Sequence, residues 1–228
     1  MSEHIVRARV EEITPLTDTI TRLVLTPEHY VAYQAGQYLQ ILFAGQAPSY
    51  SIANAPLGAH KYELHIRHGA HAGNCDLFAY IKEHGEVTIR LPLGHCHIDK
   101  LHPSRPIIFI AGGTGFAPVK AMIEQLLADS DARSFELFWG TRSRSDLYMD
   151  EKIINWQAHV SHFRYFSLPA GDNKEILLAS VLEKHADDLL ETQMVISGPF
   201  DMVYSARDIL VARGISPSHL FSDAFEFE

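Results

Sequence analysis

Short runs of β-branched and aromatic residues fill the first hundred positions of the chain. Turn-forming pairs such as Thr26-Pro27 and Ala35-Gly36 separate them. Short strands with regular turn signals between them are typical of an antiparallel barrel or sandwich. The predicted strands are Ile5–Val10, Ile20–Leu25, Tyr38–Phe43, Tyr62–Ile66 and Val87–Leu91. One helix is predicted over Cys75–Glu83, ended by Gly85 as a glycine C-cap would end it.

The pattern changes after Pro103, where continuous apolar runs alternate with segments of helical period. A fully apolar run indicates a strand buried on both faces, and strands alternating with helices predict a parallel sheet covered by helices. The predicted strands are Ile107–Ala111, Phe135–Trp139, His162–Phe166 and Met194–Ser197. The predicted helices are Pro118–Ala128, Asp150–His159, Lys174–His185 and Phe200–Arg213. We therefore expect two domains, residues 1–102 and 103–228, with the boundary in Lys100–Arg105.

Composition and charge exclude several functional classes. With 19 basic and 28 acidic residues the formal charge is −9, which argues against a protein that binds the nucleic-acid backbone. The two cysteines, Cys75 and Cys96, are too few for a four-cysteine iron–sulfur cluster within this sequence. No apolar run approaches the ~20 residues of a membrane span, and no apolar segment follows the charged N-terminal residues. We expect a cytoplasmic protein.

Histidine is abundant, with 14 copies, so a metal site has to be considered. The densest groups are His95-Cys96-His97 and the set His65, His68 and His71. Neither group shows the paired spacing that is typical of zinc ligands. The sequence therefore predicts no metal site.

The sharpest motif is a glycine-rich turn that follows the buried strand Ile107–Ala111. Glycines allow a ligand to approach the main chain closely, and a helix N-terminus offers N–H groups to a pyrophosphate. Pro118 stands where the next helix should begin, a position at which no N–H is needed. The motif consists of Gly112, Gly113, Thr114 and Gly115. A tight strand-to-helix turn without a ligand is the alternative.

A second glycine turn, Ser197-Gly198-Pro199, again ends a buried strand and starts a helix that carries Met202. In open α/β sheets, ligands lie beyond the carboxyl ends of the strands. Both glycine turns are therefore expected to border one crevice.

Two weaker motifs lie in the first half. Tyr50, Ser51 and Asn54 place an aromatic ring, a hydroxyl and an amide at a strand end, where they suit a planar ligand. His65, Ile66 and Arg67 lead into the segment Gly73-Asn74-Cys75-Asp76, and Arg67 with the following helix N-terminus would suit a phosphate. An ordinary strand-to-turn segment and an exposed loop are equally compatible with these two motifs.

In this order, the motifs resemble the ferredoxin–NADP⁺ reductase superfamily, and within it the NAD(P)H–flavin reductases and the deoxyhexulose-dehydrase reductase modules. The resemblance extends from the first strand to the C-terminal residues. It implies an antiparallel β-barrel flavin domain followed by an α/β parallel-sheet nicotinamide-binding domain. The cofactors implied are a flavin, FAD or FMN, either bound or as substrate, and NADH or NADPH.

The resemblance also implies roles for the residues of the barrel. Tyr50 would lie against the flavin ring, Ser51 would bond near its N5 as a catalytic residue, and Asn54 replaces the last serine of the family motif. Pro48 stands where the family has an arginine, which argues against a tightly held prosthetic flavin, and Arg67 is the residue that would compensate. The phosphate side would be formed by His65, Ile66, Arg67, Gly73, Asn74 and Cys75, with Asp76 in place of a hydroxyl residue.

On the nicotinamide side, the turn Gly112–Gly115 matches the family, and Thr114 is its predicted catalytic residue. Ser197 occupies the cysteine position of the second motif. Gly198, Pro199 and Met202 match the rest of it. Phe225 and Phe227 resemble C-terminal aromatic residues that lie near the flavin. Arg142 and Arg144 would hold the 2′-phosphate of NADPH, or they are solvated loop residues.

The function expected is hydride transfer from NAD(P)H to FMN, FAD or riboflavin, because the cofactors carry this chemistry and the protein aligns them. Reduced flavin would then leave, or electrons would pass to a separate redox acceptor protein. The alternative is a flavin-containing electron-transfer subunit of a multicomponent oxygenase or dehydrase system. A nucleotide-binding sensor without activity would need a defective nicotinamide site.

Overall fold

A computed structural model of the chain describes residues 3–69, 75–171 and 175–227. The chain forms two compact units, Met1–Asp99 with Lys120–Ser130, and Lys100–Val119 with Asp131–Glu228. This grouping does not test the functional division at residues 102 and 103, which stays a prediction.

The first unit contains a six-stranded antiparallel sheet in the order β4-β3-β6-β1-β2-β5. Its two edge strands meet beyond Ser51, because Ile52 pairs with Leu64 and the Ala53 N–H donates to the Glu63 carbonyl at 2.7 Å. The sheet is therefore a nearly closed barrel. Its elements are β1 His4–Pro15, β2 Ile20–Pro27, β3 Tyr38–Leu42, β4 Ser49–Ser51, β5 Tyr62–Arg67, α1 Cys75–His84 and β6 Glu86–Leu93.

The barrel core follows from the alternation of apolar and polar positions along its strands. In β3, for example, Leu39 and Ile41 are buried, whereas Tyr38, Gln40 and Leu42 are half-buried. The core side chains from the other strands and from α1 include Ala8, Leu23, Leu25, Tyr62, Leu64, Leu77, Ile81, Val87, Ile89 and Leu91.

The second unit contains a five-stranded parallel sheet in the order β11-β10-β7-β8-β9. Its strands are β7 Ile107–Gly112, β8 Phe135–Thr141, β9 Phe163–Pro169, β10 Gln193–Ser197 and β11 Leu220–Phe221. The remaining helices are α2 Phe116–Ala128, α3 Asp150–His159, α4 Glu175–Lys184 and α5 Phe200–Ala212. The last nine residues of α2 are grouped with the first unit.

Apolar side chains of α4 and α5 pack on one face of the parallel sheet. Leu177 and Val181 of α4 and Val203 and Leu210 of α5 lie in one buried cluster with Ile110 of β7. The sequence therefore predicts the class of this unit correctly, since buried β7 is apolar throughout and helices alternate with the strands.

The structure confirms the predicted fold class and corrects several bounds. β1 continues to Pro15, beyond its predicted end at Val10, and α2 begins at Phe116, so that Pro118 lies within its first turn. The strands β4 and β11 are not predicted, because three and two residues are too short to show a period. Gly85 ends α1 as predicted, with φ +69° and its N–H donating to the Ile81 carbonyl. Within the described part of the chain, no helix combines the length and the apolar character needed to cross a membrane.

Candidate functional site

The two predicted glycine turns lie side by side in the second unit. β7 and β10 are parallel neighbours, and Ala111 pairs with Ser197 at the carboxyl end of both. The turns Gly112–Gly115 and Ser197–Pro199 therefore leave the sheet at the same edge. Ligands of open α/β sheets bind at this edge.

The glycines allow the two turns to pack main chain against main chain. A methyl group on Gly115 would lie 2.2 Å from the Ser197 carbonyl oxygen, and one on Gly198 would lie 3.1 Å from the Gly112 Cα. A methyl group on Gly112 would lie 2.7 Å from the Met202 sulfur, which is buried beneath the turns. These three glycines are thus required by packing, a reason distinct from the close ligand approach inferred from the sequence.

The first turn is a single 3-10 turn, Gly113–Gly115, that runs into α2. Gly113 has φ +55°, in the left-handed region that favours glycine, and its carbonyl accepts the N–H of Phe116. Thr114 and the other residues of the turn are half-buried. Because the glycines have no side chain, the surface that they expose is main chain. The Ser197 side chain at the end of β10 is also half-buried.

Arg142 and Arg144 follow β8 and are both exposed. The loop that carries them is ordered by its own hydrogen bonds, since the Ser143 hydroxyl donates to Asp146 at 2.9 Å and the Thr141 hydroxyl donates to the Ser143 carbonyl. Both alternatives for the two arginines, a 2′-phosphate contact and a solvated loop, remain compatible with this placement.

The C-terminal segment is attached to α5. The Tyr204 hydroxyl donates to the Ala224 carbonyl at 2.7 Å, and the Arg207 guanidinium lies over the rings of Tyr204 and Phe225, 5.2 and 5.6 Å from their centroids. Phe225 is therefore held in place, whereas Phe227 is exposed and lies 5.8 Å from Phe200.

In the first unit, Tyr50 and Ser51 lie on β4 and are half-buried. They pair with Leu39 and Tyr38 of β3 and point to opposite faces of the strand. Tyr50 packs against the barrel core, and this burial raises the pKa of its hydroxyl to about 12. The phenol therefore stays neutral at physiological pH.

Asn54 uses its side-chain amide to hold its own loop. Its oxygen accepts the Glu63 N–H at 2.8 Å, and its nitrogen donates to the carbonyls of Lys61 and Ala55. This arrangement gives Asn54 a structural role. The flavin contact predicted for it stays a prediction.

The predicted phosphate segment is only partly accessible. The side chains of His65 and Ile66 are buried, whereas Arg67, at the end of β5, is half-buried and lies 3.4 Å from the Thr19 hydroxyl. Cys75 is the first residue of α1. The residues Gly73 and Asn74 lie outside the described residues. Within the described part, Arg67 is the member of this segment that offers a charged group to a phosphate.

The structure reveals a buried charge cluster that the sequence analysis misses. Lys120 of α2 is 2% exposed, and its ammonium group donates to the Ala53 carbonyl at 2.8 Å. It also pairs with Glu63 at 3.2 Å and with Glu124, one helical turn further, at 2.9 Å. Glu124 in turn accepts the Ala55 N–H at 3.2 Å. The cluster therefore fixes the main chain directly after Tyr50-Ser51-Ile52.

His65 belongs to the same cluster through its contact with Glu63. Burial favours the neutral acid of Glu63, but the hydrogen bond from His65 and the positive charges of Lys120 and Arg22 outweigh it and hold the Glu63 pKa well below its usual range. Burial lowers the pKa of His65, so the ring is neutral and its Nε2–H donates to Glu63 at 2.8 Å. Among the described residues, no three His, Cys, Asp or Glu side chains are grouped to hold a metal ion.

The residues present fit the cofactors that the sequence resemblance implies. The second unit offers accessible main chain at the carboxyl ends of two adjacent parallel strands, which suits a dinucleotide. The first unit offers a half-buried tyrosine ring, a serine hydroxyl and the guanidinium of Arg67, which suit the ring and the phosphate of a flavin nucleotide.

Residues 109–208, which contain both glycine turns, match the family described as the oxidoreductase NAD-binding domain. Over 90% of its length, the chain is 34% identical to the CDP-6-deoxy-L-threo-D-glycero-4-hexulose-3-dehydrase reductase of Yersinia pestis, and it spans 64% of that relative. It is 28% identical to an NAD(P)H-flavin reductase of Aliivibrio fischeri, covering 97% of this chain and 99% of that protein.

A ferredoxin NADP⁺ reductase from Neisseria gonorrhoeae, solved with bound FAD and NADP, has the same fold. The two superpose with a TM-score of 0.76 at 16% identity, over 97% of this chain and 98% of that one. The chain therefore has the fold of this reductase.

Proposed function

We propose that the protein transfers a hydride from NAD(P)H to a flavin. The observation that carries this proposal is the pair of glycine turns packed together at the carboxyl edge of the parallel sheet, in a chain whose barrel presents Tyr50 and Ser51. The similarity to an NAD(P)H-flavin reductase over 99% of that protein's length supports it. We also propose that residues 1–102 form the flavin domain and residues 103–228 the nucleotide domain.

In this proposal, the barrel binds and orients the flavin. The ring of Tyr50 packs against the planar ring system, the Ser51 hydroxyl forms a hydrogen bond near N5, and the guanidinium of Arg67 holds the phosphate where there is one. A bound flavin supplies the hydride-accepting N5 atom. Because Pro48 stands where the family has a phosphate-binding arginine, the flavin is held weakly enough to act as a substrate.

The second unit binds the nicotinamide nucleotide at its paired turns. The main chain of Gly112–Gly115 holds the nucleotide, and Thr114 and Ser197 place polar groups beside the nicotinamide. The exposed Arg142 and Arg144 are the residues that would select NADPH, through its 2′-phosphate. No protein side chain has to move a proton, since hydride transfer depends on alignment.

Absorption spectra and oxidation assays test this proposal. The visible spectrum of the purified protein is recorded before and after desalting, and NADH and NADPH oxidation is followed with and without FMN, FAD and riboflavin. A colourless protein that oxidises NAD(P)H only with added flavin supports flavin as the substrate. A yellow protein that keeps its flavin indicates a prosthetic group, and no oxidation under any condition contradicts the proposal.

A second candidate is an electron-transfer subunit of an oxygenase or dehydrase system, favoured by the 34% identity to a dehydrase reductase. In that case the flavin stays bound, and a separate redox protein is the physiological acceptor. Rapid flavin reduction by NAD(P)H, followed by slow reoxidation until an artificial one-electron acceptor is added, distinguishes this candidate. A cytoplasmic location stays a prediction that cell fractionation tests.

A further inference from the structure

One side chain of β8 reaches under the first glycine turn. Trp139 is fully buried, and its indole Nε1–H donates to the Gly113 carbonyl at 2.9 Å. Parallel pairing of β7 with β8, with Ala111 opposite Trp139, places the indole beside the end of β7. The N–H is the single polar group of the indole, and it is bonded to the glycine turn.

The indole ring is fixed by aromatic neighbours. It stacks on Phe116, the first residue of α2, with the ring centroids 4.2 Å apart and an angle of 23° between the planes. Tyr148 meets it edge-on, at a centroid distance of 5.1 Å and an angle of 87°. The N–H therefore has little freedom to point elsewhere, and the Gly113 carbonyl is held at two points, by Trp139 and by the Phe116 N–H.

This bond determines where the next N–H of the turn points. In a planar trans peptide the carbonyl and the following N–H point in opposite directions. Because the Gly113 carbonyl faces the buried indole, the Thr114 N–H faces away from it. Gly113 reaches this orientation with φ +55°, a conformation that few other residues adopt.

We propose that Trp139 is a positioning residue that aims the Thr114 N–H at the nicotinamide nucleotide. This inference rests on the proposed function, and it assigns a role to a residue that does not itself touch the nucleotide. Trp139 acts through one hydrogen bond, so the role requires an N–H donor and not merely a large ring.

Trp139→Phe removes the donor and keeps an aromatic ring over Phe116. The Gly113 carbonyl retains the Phe116 N–H, so no buried group loses its last partner. We expect dissociation constants for NADH and NADPH, measured by titration calorimetry, to rise about five- to tenfold, the effect of one modest hydrogen bond. The KM for flavin should not change. Trp156→Phe, on α3, is the matched control and should leave both quantities unchanged.

A second replacement separates hydrogen bonding from packing. Benzothienylalanine at position 139 has the shape of tryptophan, with sulfur in place of the N–H. We expect it to weaken NAD(P)H binding as Trp139→Phe does, with a smaller loss of melting temperature than Trp139→Phe, because it fills the same volume. Wild-type affinity with this residue would overturn the proposal and leave Trp139 a packing residue.

A spectroscopic measurement reports on the bond directly. In the Trp156→Phe protein, Trp139 is the single tryptophan, because the sequence has two. Its indole N–H resonance should exchange slowly with solvent and should shift when NAD⁺ or NADP⁺ is added. An indole N–H that exchanges quickly with solvent, or whose resonance does not shift when a nucleotide known to bind is added, contradicts the proposal. If the wild-type protein binds no nicotinamide nucleotide, the proposed function itself fails, which calorimetry on the wild type shows separately.

Discussion

Replacing Lys120 with methionine tests whether the buried charge cluster stabilises the first unit. The change keeps most of the side-chain volume and removes one positive charge that is 2% exposed. Three oxygen atoms lose a partner, those of the Ala53 carbonyl at 2.8 Å, Glu124 at 2.9 Å and Glu63 at 3.2 Å. The two carboxylates then remain close together without the ammonium group between them.

The magnitude follows from what each carboxylate retains. Removing one partner of a buried ion pair costs about 3–5 kcal/mol, because the other charge stays buried. Here Glu63 keeps Arg22 at 3.1 Å and His65 at 2.8 Å, and Glu124 keeps the Ala55 N–H. We therefore expect a loss at the lower limit, about 3 kcal/mol in the free energy of unfolding. For a protein of this size, that loss lowers the melting temperature by roughly 6–12 °C.

The assay is urea unfolding followed by both circular dichroism and fluorescence. Two probes are needed because a chain with two units need not unfold in one step. Lys152→Met is the control, since Lys152 lies on the surface over Trp156, and its replacement should change the unfolding free energy by less than about 0.5 kcal/mol.

A double variant checks the electrostatic cause. If the unpaired carboxylates are responsible, Lys120→Met combined with Glu63→Gln should lose less than the sum of the two single losses. Additive losses, or a Lys120→Met loss below about 1 kcal/mol, would refute the claim that buried charge pairing makes this cluster stabilising.

Three further predictions concern other parts of the molecule. The hydrogen bond to Glu136 raises the pKa of His185. The stabilisation that His185 adds is therefore present below pH 6.5 and is lost as pH rises through the raised pKa. The melting temperatures of wild type and His185→Gln should converge at alkaline pH, and a difference that stays constant with pH would contradict this. Gly115→Ala should lower the melting temperature and the affinity for NAD(P)H, because the added methyl group lies 2.2 Å from the Ser197 carbonyl oxygen. An unchanged melting temperature and an unchanged affinity would show that the two turns can move apart without loss of stability. Ser51→Ala should lose most of its turnover while keeping its NAD(P)H affinity, and near-normal turnover would remove Ser51 from the proposed role.

The fold was predictable because the apolar residues follow a different pattern in each half of the chain. Apolar β7 and its alternation with helices determine the parallel sheet, and alternating positions such as Leu39 and Ile41 determine the barrel. The missed strands β4 and β11 are defined by pairing with other strands, Tyr50 with Leu39 and Leu220 with Met194. Three or two residues carry no periodic signal from which such a pairing could be predicted.

The sequence also predicts that the two glycine turns leave the sheet at one edge, as the structure shows, but it predicts only part of what the individual glycines do. The glycines at 112, 115 and 198 indicate two turns at a sheet edge, yet which of them face a ligand and which face the other turn depends on packing. Asn54 matches a binding motif, and in the structure its side chain also holds its own loop. A short polar residue can bind a ligand or hold a loop, so the residue type alone does not show which of the two it does.

The buried charge cluster could not be predicted from the sequence. Lys120 and Glu124 have the spacing of an i,i+4 pair, which on a helix is typical of a solvent-exposed face. Glu63 and His65 alternate on a strand 55 or more residues earlier. Nothing in the sequence indicates that these four side chains form one cluster in which Lys120 also donates to the Ala53 carbonyl.

The reaction proposed for this protein is hydride transfer from NAD(P)H to a flavin. The most direct measurement mixes the protein anaerobically with FMN, FAD or riboflavin and with NADH or NADPH, and follows the near-ultraviolet absorbance of the nucleotide and the visible absorbance of the flavin together. If the protein transfers a hydride from NAD(P)H to a flavin, both absorbances fall together, with one flavin reduced for each nucleotide oxidised. Visible absorbance that stays constant with every flavin and both nucleotides would contradict it.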